Sequence, residues 1–217
     1  QGFAALEVGG SSGLYSINLN TGAATLIGTF GNGVAVRGIA VVPVELDFGD
    51  APDSYGTLEA SDGPRHFAST GPFLGTHGPD FEFDGRPTAD ATGDDTHGFH
   101  SDEEGVVLPA SLTAGLSATA TVTASADGFL DAWIDFDGNG TFDADEQIAA
   151  SLPVAAGDNN VSFPVPVGAV AGTTFARFRI SSAGGLGPTG FAPNGEVEDY
   201  QVTITTPTPG TTALSDN

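Results

Sequence analysis

The chain has 217 residues, and 28 acidic side chains against five arginines give it a formal net charge of −23. That charge repels nucleic acid and anionic lipid, so neither is expected as a partner. With no cysteine and no methionine, disulfides and thiol chemistry are excluded. The 32 glycines and 14 prolines, with few helical runs and 39% hydrophobic residues, predict an all-β fold with a core of ordinary size.

Residues 1–43 are the least acidic part. FAALEV, GLYSINL, AATLIGTF and VAVRGIAVV read as four short strands, broken by glycine- and asparagine-rich turns. The stretch LYSINLNTGAATLIGTF resembles one blade repeat of bacterial secreted β-propeller-like proteins. A lone unit of this kind cannot bury its own apolar face, so this segment is expected to pack on another surface or to donate a strand during assembly.

Residues 44–105 form a long acidic region of low regularity. It opens with LDFGDAPDSYGT, which places Asp47, Asp50 and Asp53 at three-residue spacing. A second run carries Asp84, Asp90, Asp94, Asp95, Asp102, Glu103 and Glu104. Carboxylates at this density order only with counterions, so the region reads as a calcium-ordered loop, the alternative being a solvated acidic loop.

Residues 106–205 read as an antiparallel β-sandwich. SATATVTAS, FLDAWIDF, NNVSFPVPV, TTFARFRIS and VEDYQVTI are strand-like. Val161, Phe163, Val165 and Val167 alternate inward. Ala176, Phe178 and Ile180 share one face, and Arg177 and Arg179 share the other.

Within this half, AWIDFDGNGTFDADEQI puts Asp135, Asp137, Asn139, Thr141, Asp143 and Glu146 at positions 1, 3, 5, 7, 9 and 12 of a twelve-residue loop, with Gly140 at position 6. That is the EF-hand calcium-loop pattern. Alternate oxygen donors wrap one hard cation, the glycine permits the reversal, and the last Glu can bind through both oxygens. The period-two pattern of Leu130, Ala132, Ile134 and Phe136 makes the entering segment a strand rather than a helix, so the ion is expected to staple strands. The bland alternative is a solvated Asp/Asn/Gly hairpin turn. Residues 206–217, rich in Pro and Thr, read as a linker or tail.

Glu196, Glu198 and Asp199 lie within GEVEDY, three carboxylates in four residues. They repel unless a cation sits among them or Arg177 or Arg179 pairs with them. The first alternative predicts that the Asp47/Asp50/Asp53 run, the Asp94/Asp95 pair and GEVEDY converge on one or more Ca²⁺ ions.

GEVEDY, with LDFGDAPDSYGT, GPRH, TADATGDD, AWIDFDGNG, EQI, GTTFARFRIS and GLGPTG in order, resembles the GEVED domain of bacterial secreted and surface proteins, from about Leu46 to Ile204. The resemblance implies a β-sandwich and a non-enzymatic surface or matrix role, and it names no ligand. His97 and His100 stand where acidic or small residues are usual in the family.

Other chemistry is weakly represented. His66, His77, His97 and His100 could in principle bind zinc or copper, but the i, i+3 spacing of His97 and His100 means little in a loop, and the four read as loop imidazoles, with His66 packed in the GPRH turn. No isolated acid pair in an apolar setting suggests a glycosidase. Trp133 lies within a strand and is expected to pack rather than to form a sugar platform. No segment approaches ~20 continuous apolar residues, and Gln1 reads as a mature N-terminus after processing. These features together predict a calcium-stabilised, secreted or surface protein that is not an enzyme and binds more than one Ca²⁺. It would form homo-oligomers or filaments, the alternative being a calcium-dependent adhesin or carbohydrate-binding module on surface glycans or matrix.

Overall fold

The computed structural model describes residues 2–8, 11–18, 21–31, 46–68, 70–93 and 103–207. It divides into two compact units, residues 1–44 and 45–217. In the first unit, β1 (Gly2–Val8), β2 (Ser11–Ile17) and β3 (Ala24–Thr29) form an antiparallel meander. Strand register puts Ala4 and Leu6 on the same face as Tyr15, Ile17 and Leu26. That apolar face is incompletely covered: Leu26 is 48% exposed and β3 is exposed along its whole length. The expected fourth strand, VAVRGIAVV, lies outside the described residues.

The second unit contains β4 (Leu46–Phe48), β5 (Arg65–Phe67), β6 (Val106–Val107), β7 (Leu112–Thr113), β8 (Ser117–Ala124), β9 (Gly128–Ile134), β10 (Gln147–Val154), β11 (Gly157–Pro164), β12 (Gly172–Ser181), β13 (Phe191–Ala192) and β14 (Glu196–Thr205). A five-stranded sheet runs β10-β9-β12-β14-β7, and a three-stranded sheet runs β11-β8-β6. Their inner faces make the main core. Ala120 and Val122 of β8 and Val161 and Phe163 of β11 meet Leu130, Ala132 and Ile134 of β9 and Ala176, Phe178 and Ile180 of β12. Each such Leu, Ile or Phe contributes on the order of 1.5–3 kcal/mol by leaving water. Outward on the smaller sheet, Thr119 shares a hydrogen bond with Ser162 at 2.8 Å and Thr123 donates to Asp158 at 2.8 Å, as the period-two alternation requires.

The inward alternation of β11 ends sooner than the pattern Val161/Phe163/Val165/Val167 predicts. Val165 is buried, but Val167 is 86% exposed. The strand stops at Pro164, and a turn closed by the Ala169 N–H on the Pro166 carbonyl breaks the period.

The larger sheet is buried on both faces. Opposite the core, Asp131, Trp133, Arg177 and Arg179 are all buried. Arg177 and Arg179 lie under a third layer in which short 3-10 turns at Asp53–Tyr55 and Glu59–Ser61 accompany a small sheet of order β13-β5-β4. The described part of the acidic region is therefore no solvated loop: Phe48, Ala51, Tyr55, Thr57, His66 and Leu74 are buried. Segment 187–190 also reaches this face, where the carbonyls of Gly187, Thr189 and Gly190 accept from the Arg179 guanidinium.

Candidate metal centre

Strand β9 ends at Ile134 and β10 begins at Gln147, so the twelve-residue acidic loop joins two neighbouring antiparallel strands. Gly138 and Gly140 take φ of +70° and +85°, a region costly for residues with a Cβ, and this lets the loop fold back on itself. Asp135 is fully buried. Its Oδ1 accepts the Gly138 N–H at 2.6 Å, and its Oδ2 accepts the Gly140 N–H at 3.0 Å and the Tyr55 hydroxyl at 2.6 Å.

Asn139 ties the loop's exposed side together. Its Nδ2 donates to Asp137 Oδ2 at 3.2 Å and Asp143 Oδ2 at 2.9 Å, and its Oδ1 accepts from the Thr141 N–H and hydroxyl at 2.8 and 2.6 Å. Glu146 closes the loop from a 3-10 turn, Ala144–Glu146. Its Oε1 accepts the Phe136 N–H at 2.7 Å, and its Oε2 accepts the Asp143 N–H at 3.0 Å in a capping box.

Asp135, Asp137 and Glu146 thereby offer oxygens that all lie within 4.8 Å of one another. Two carboxylates at such a distance repel by about 3 kcal/mol at an effective dielectric of 20. No basic residue lies between positions 135 and 146. Burial, with the Asp135 charge adding to it, pushes the Glu146 carboxyl above its usual range. Burial and the bond to Asp135 likewise push the Tyr55 phenol up. An all-oxygen donor set of carboxylates and one amide fits a hard divalent cation, which would relieve this crowding, and does not fit a thiolate-preferring metal.

The second group of expected ligands is also brought together in part, chiefly by bonds to backbone. Register places Arg177 opposite Asp199, Phe178 opposite Glu198 and Ile180 opposite Glu196. The Arg177 guanidinium forks onto Asp199, Nε to Oδ1 at 2.7 Å and Nη2 to Oδ2 at 2.8 Å, with both side chains fully buried. Of the two alternatives for GEVEDY, arginine pairing thus accounts for Asp199. The same carboxylate accepts the Asp50 and Ala51 N–H groups at 3.0 and 2.9 Å, fastening the acidic segment to the last strand.

Other acids do similar work on single backbone N–H groups. Asp47 accepts the Val197 N–H at 2.8 Å, Asp50 the Gly93 N–H at 2.6 Å and Glu198 the Gly105 N–H at 2.9 Å, while Glu196 accepts the Leu74 N–H. Asp53 lies apart, accepting the Thr57 and Leu58 N–H groups of its own turn at 3.2 and 3.0 Å. Asp94, Asp95, His97 and His100 lie outside the described residues. The glycine of GEVEDY has its own reason. Gly195 sits at φ +104°, and a Cβ there would meet the Ile180 carbonyl at 1.9 Å.

Three participants escaped the sequence reading. Tyr55 reaches the loop across 80 residues, and Glu82 accepts the Phe48 N–H at 3.2 Å. His66 lies in β5, not in a turn, and is fully buried. Its Nδ1 meets the Asn194 carbonyl at 2.9 Å, and its Nε2 accepts from Arg179 Nε at 3.0 Å. Its Nδ1 therefore carries the proton. Burial, reinforced by Arg179, holds the His66 pKa well below the usual value, and burial next to Arg177 lowers that of Arg179 to about 9. No local sequence signal marks these contacts, because every partner is remote.

Fold and site together define a two-sheet β-sandwich with an acidic, cation-compatible loop between neighbouring strands. Residues 129–203, from β9 into β14, match the GEVED domain. No curated protein matches the chain. Among the described residues, no helix is long and apolar enough to cross a membrane.

Proposed function

We propose that this protein is a non-enzymatic structural component of a bacterial surface or extracellular matrix, whose β-sandwich is braced by Ca²⁺. The observation that carries the reading is the convergence of Asp135, Asp137 and Glu146 oxygens within 4.8 Å in a loop joining two core strands. Asn139 and Asp143, hydrogen-bonded to each other at its rim, complete the donor set. Among the described residues, seven further carboxylates (Asp47, Asp50, Glu82, Asp131, Glu196, Glu198 and Asp199) are buried, and Arg177 and Arg179 are the buried guanidiniums. The carboxylate density of the sequence favours a second ion near GEVEDY, for which Asp94 and Asp95 are further candidate ligands.

An ion that binds only the folded chain stabilises it by RT ln(1 + [Ca²⁺]/Kd), about 2.7 kcal/mol at a hundredfold excess over Kd. Saturation in the range of ~10⁻⁴–10⁻³ M suits extracellular calcium. Chelation is expected to lower the melting temperature of the intact chain and to raise protease cutting within residues 44–105. Melting curves that coincide with and without chelator would refute the calcium reading.

The exposed apolar face of the β1-β2-β3 sheet supports assembly with further copies of the chain, as a filament or mesh. Electron microscopy in millimolar calcium is expected to show regular polymers. A monodisperse monomer by light scattering under those conditions refutes assembly and leaves the calcium reading standing.

A further inference from the structure

Tyr55 joins the acidic loop to the irregular third layer. Tyr55 belongs to the 3-10 turn Asp53–Tyr55, which carries the LDFGDAPDSYGT segment. Its hydroxyl reaches Asp135 Oδ2 at 2.6 Å, and its ring is packed between Phe142 of the acidic loop at 4.7 Å and Phe175 of β12 at 5.3 Å. Its carbonyl accepts from Arg177 Nη1 at 3.2 Å, the guanidinium that forks onto Asp199. Arg177 also lies 5.3 Å over the Phe142 ring. Asp199 in turn holds the Asp50 and Ala51 backbone. A continuous set of contacts therefore runs from the first ligand position of the loop, through Tyr55, to the bonds that fasten the third layer.

We propose that Tyr55 is the positioning residue of the cation site and the link through which its occupancy stabilises the layer of residues 46–93. The inference rests on the calcium reading of the Asp135 loop. The phenol O–H and the Gly140 N–H both donate to Oδ2 of Asp135, which sets the rotation of the carboxylate and leaves Oδ1 to accept the Gly138 and Asn139 N–H groups of the loop. Hydrogen bonds of this kind to a ligating carboxylate are worth roughly 10–100-fold in metal affinity. Coupling is reciprocal: an ion that needs Asp135 in this orientation favours the layer that supplies Tyr55, and an ordered layer favours the ion.

The test uses the full-length protein, calcium chloride as the probe and the variant Tyr55→Phe, which keeps the ring packing and removes only the hydroxyl. Calorimetric titration is expected to show Ca²⁺ affinity about tenfold weaker than wild type. Limited digestion with trypsin reads the layer separately through Arg65, because the chain has no lysine and the other arginine within residues 46–93, Arg86, precedes Pro87, a bond trypsin does not cut. In wild type, cutting after Arg65 should rise on chelation. In Tyr55→Phe it should be raised already and change little with calcium.

Asn159→Ala serves as the stability control. Asn159 holds the turn between β10 and β11 through Ala155 and Gly157, so this variant should melt earlier while keeping wild-type affinity and calcium-dependent cutting. Wild-type protein that takes up no calcium overturns the calcium reading and this inference with it. Wild-type uptake with Tyr55→Phe affinity within twofold, or with cutting after Arg65 that still follows calcium, overturns the inference alone. An equal loss of affinity in Asn159→Ala also overturns it, by assigning the effect to general destabilisation.

Discussion

Replacing Arg177 by methionine separates the arginine from the cations as the counter-charge of GEVEDY. In the folded chain the guanidinium donates twice to Asp199, to the carbonyls of Tyr55 and Pro188 and to the Thr57 hydroxyl, all at 2.7–3.2 Å. Methionine fills similar volume and donates nothing. Asp199 is then left buried with the Asp50 and Ala51 N–H groups, and the two carbonyls lose a donor. Breaking one side of a buried ion pair costs about 3–5 kcal/mol. In a unit of this size each kcal/mol lowers the melting point by about 2–4 °C, so Arg177→Met is expected to melt about 6–20 °C earlier. Scanning calorimetry in millimolar calcium reads the shift directly. The double variant Arg177→Met/Asp199→Leu should lose less than the sum of the two single variants, by on the order of 2 kcal/mol. A melting point within about 2 °C of wild type for Arg177→Met would refute the reasoning and shift the compensation of Asp199 to bound ions.

Acid sensitivity should trace in part to His66. Its folded pKa lies below its unfolded value, so the unfolded chain binds the extra proton first, and the contribution is complete above the unfolded pKa near ~6.5 and erodes as pH falls below it. The loss should approach about 1.4 kcal/mol per pH unit within that window, and urea titrations at several pH values should show a flatter profile for His66→Asn than for wild type. On β11, Phe163→Ala is expected to cost about 3–5 kcal/mol, whereas Val167→Ala should stay within about 0.5 kcal/mol. Equal losses by denaturant titration would restore the longer inward alternation that the sequence suggested.

The amino-acid order alone determined what depends on neighbours in the chain. Period-two alternation marks β8, β9, β11, β12 and β14 because side chains two apart share a strand face. The spacing from Asp135 to Glu146 marks an oxygen-lined loop because its donors lie within twelve residues. The opposite facing of Arg177 and Ala176 is likewise local. Tertiary structure decided what those faces meet. Asp199 was readable as a carboxylate in need of a counter-charge, but only the register of β12 against β14 sets Arg177 opposite it. The irregular stretch after Leu46 offered no periodicity, because its order comes from carboxylates that cap single N–H groups up to 150 residues away, as Asp47 does for Val197. Tyr55 belongs to the same class: its phenol completes the acidic loop across 80 residues, a distance over which no spacing rule operates.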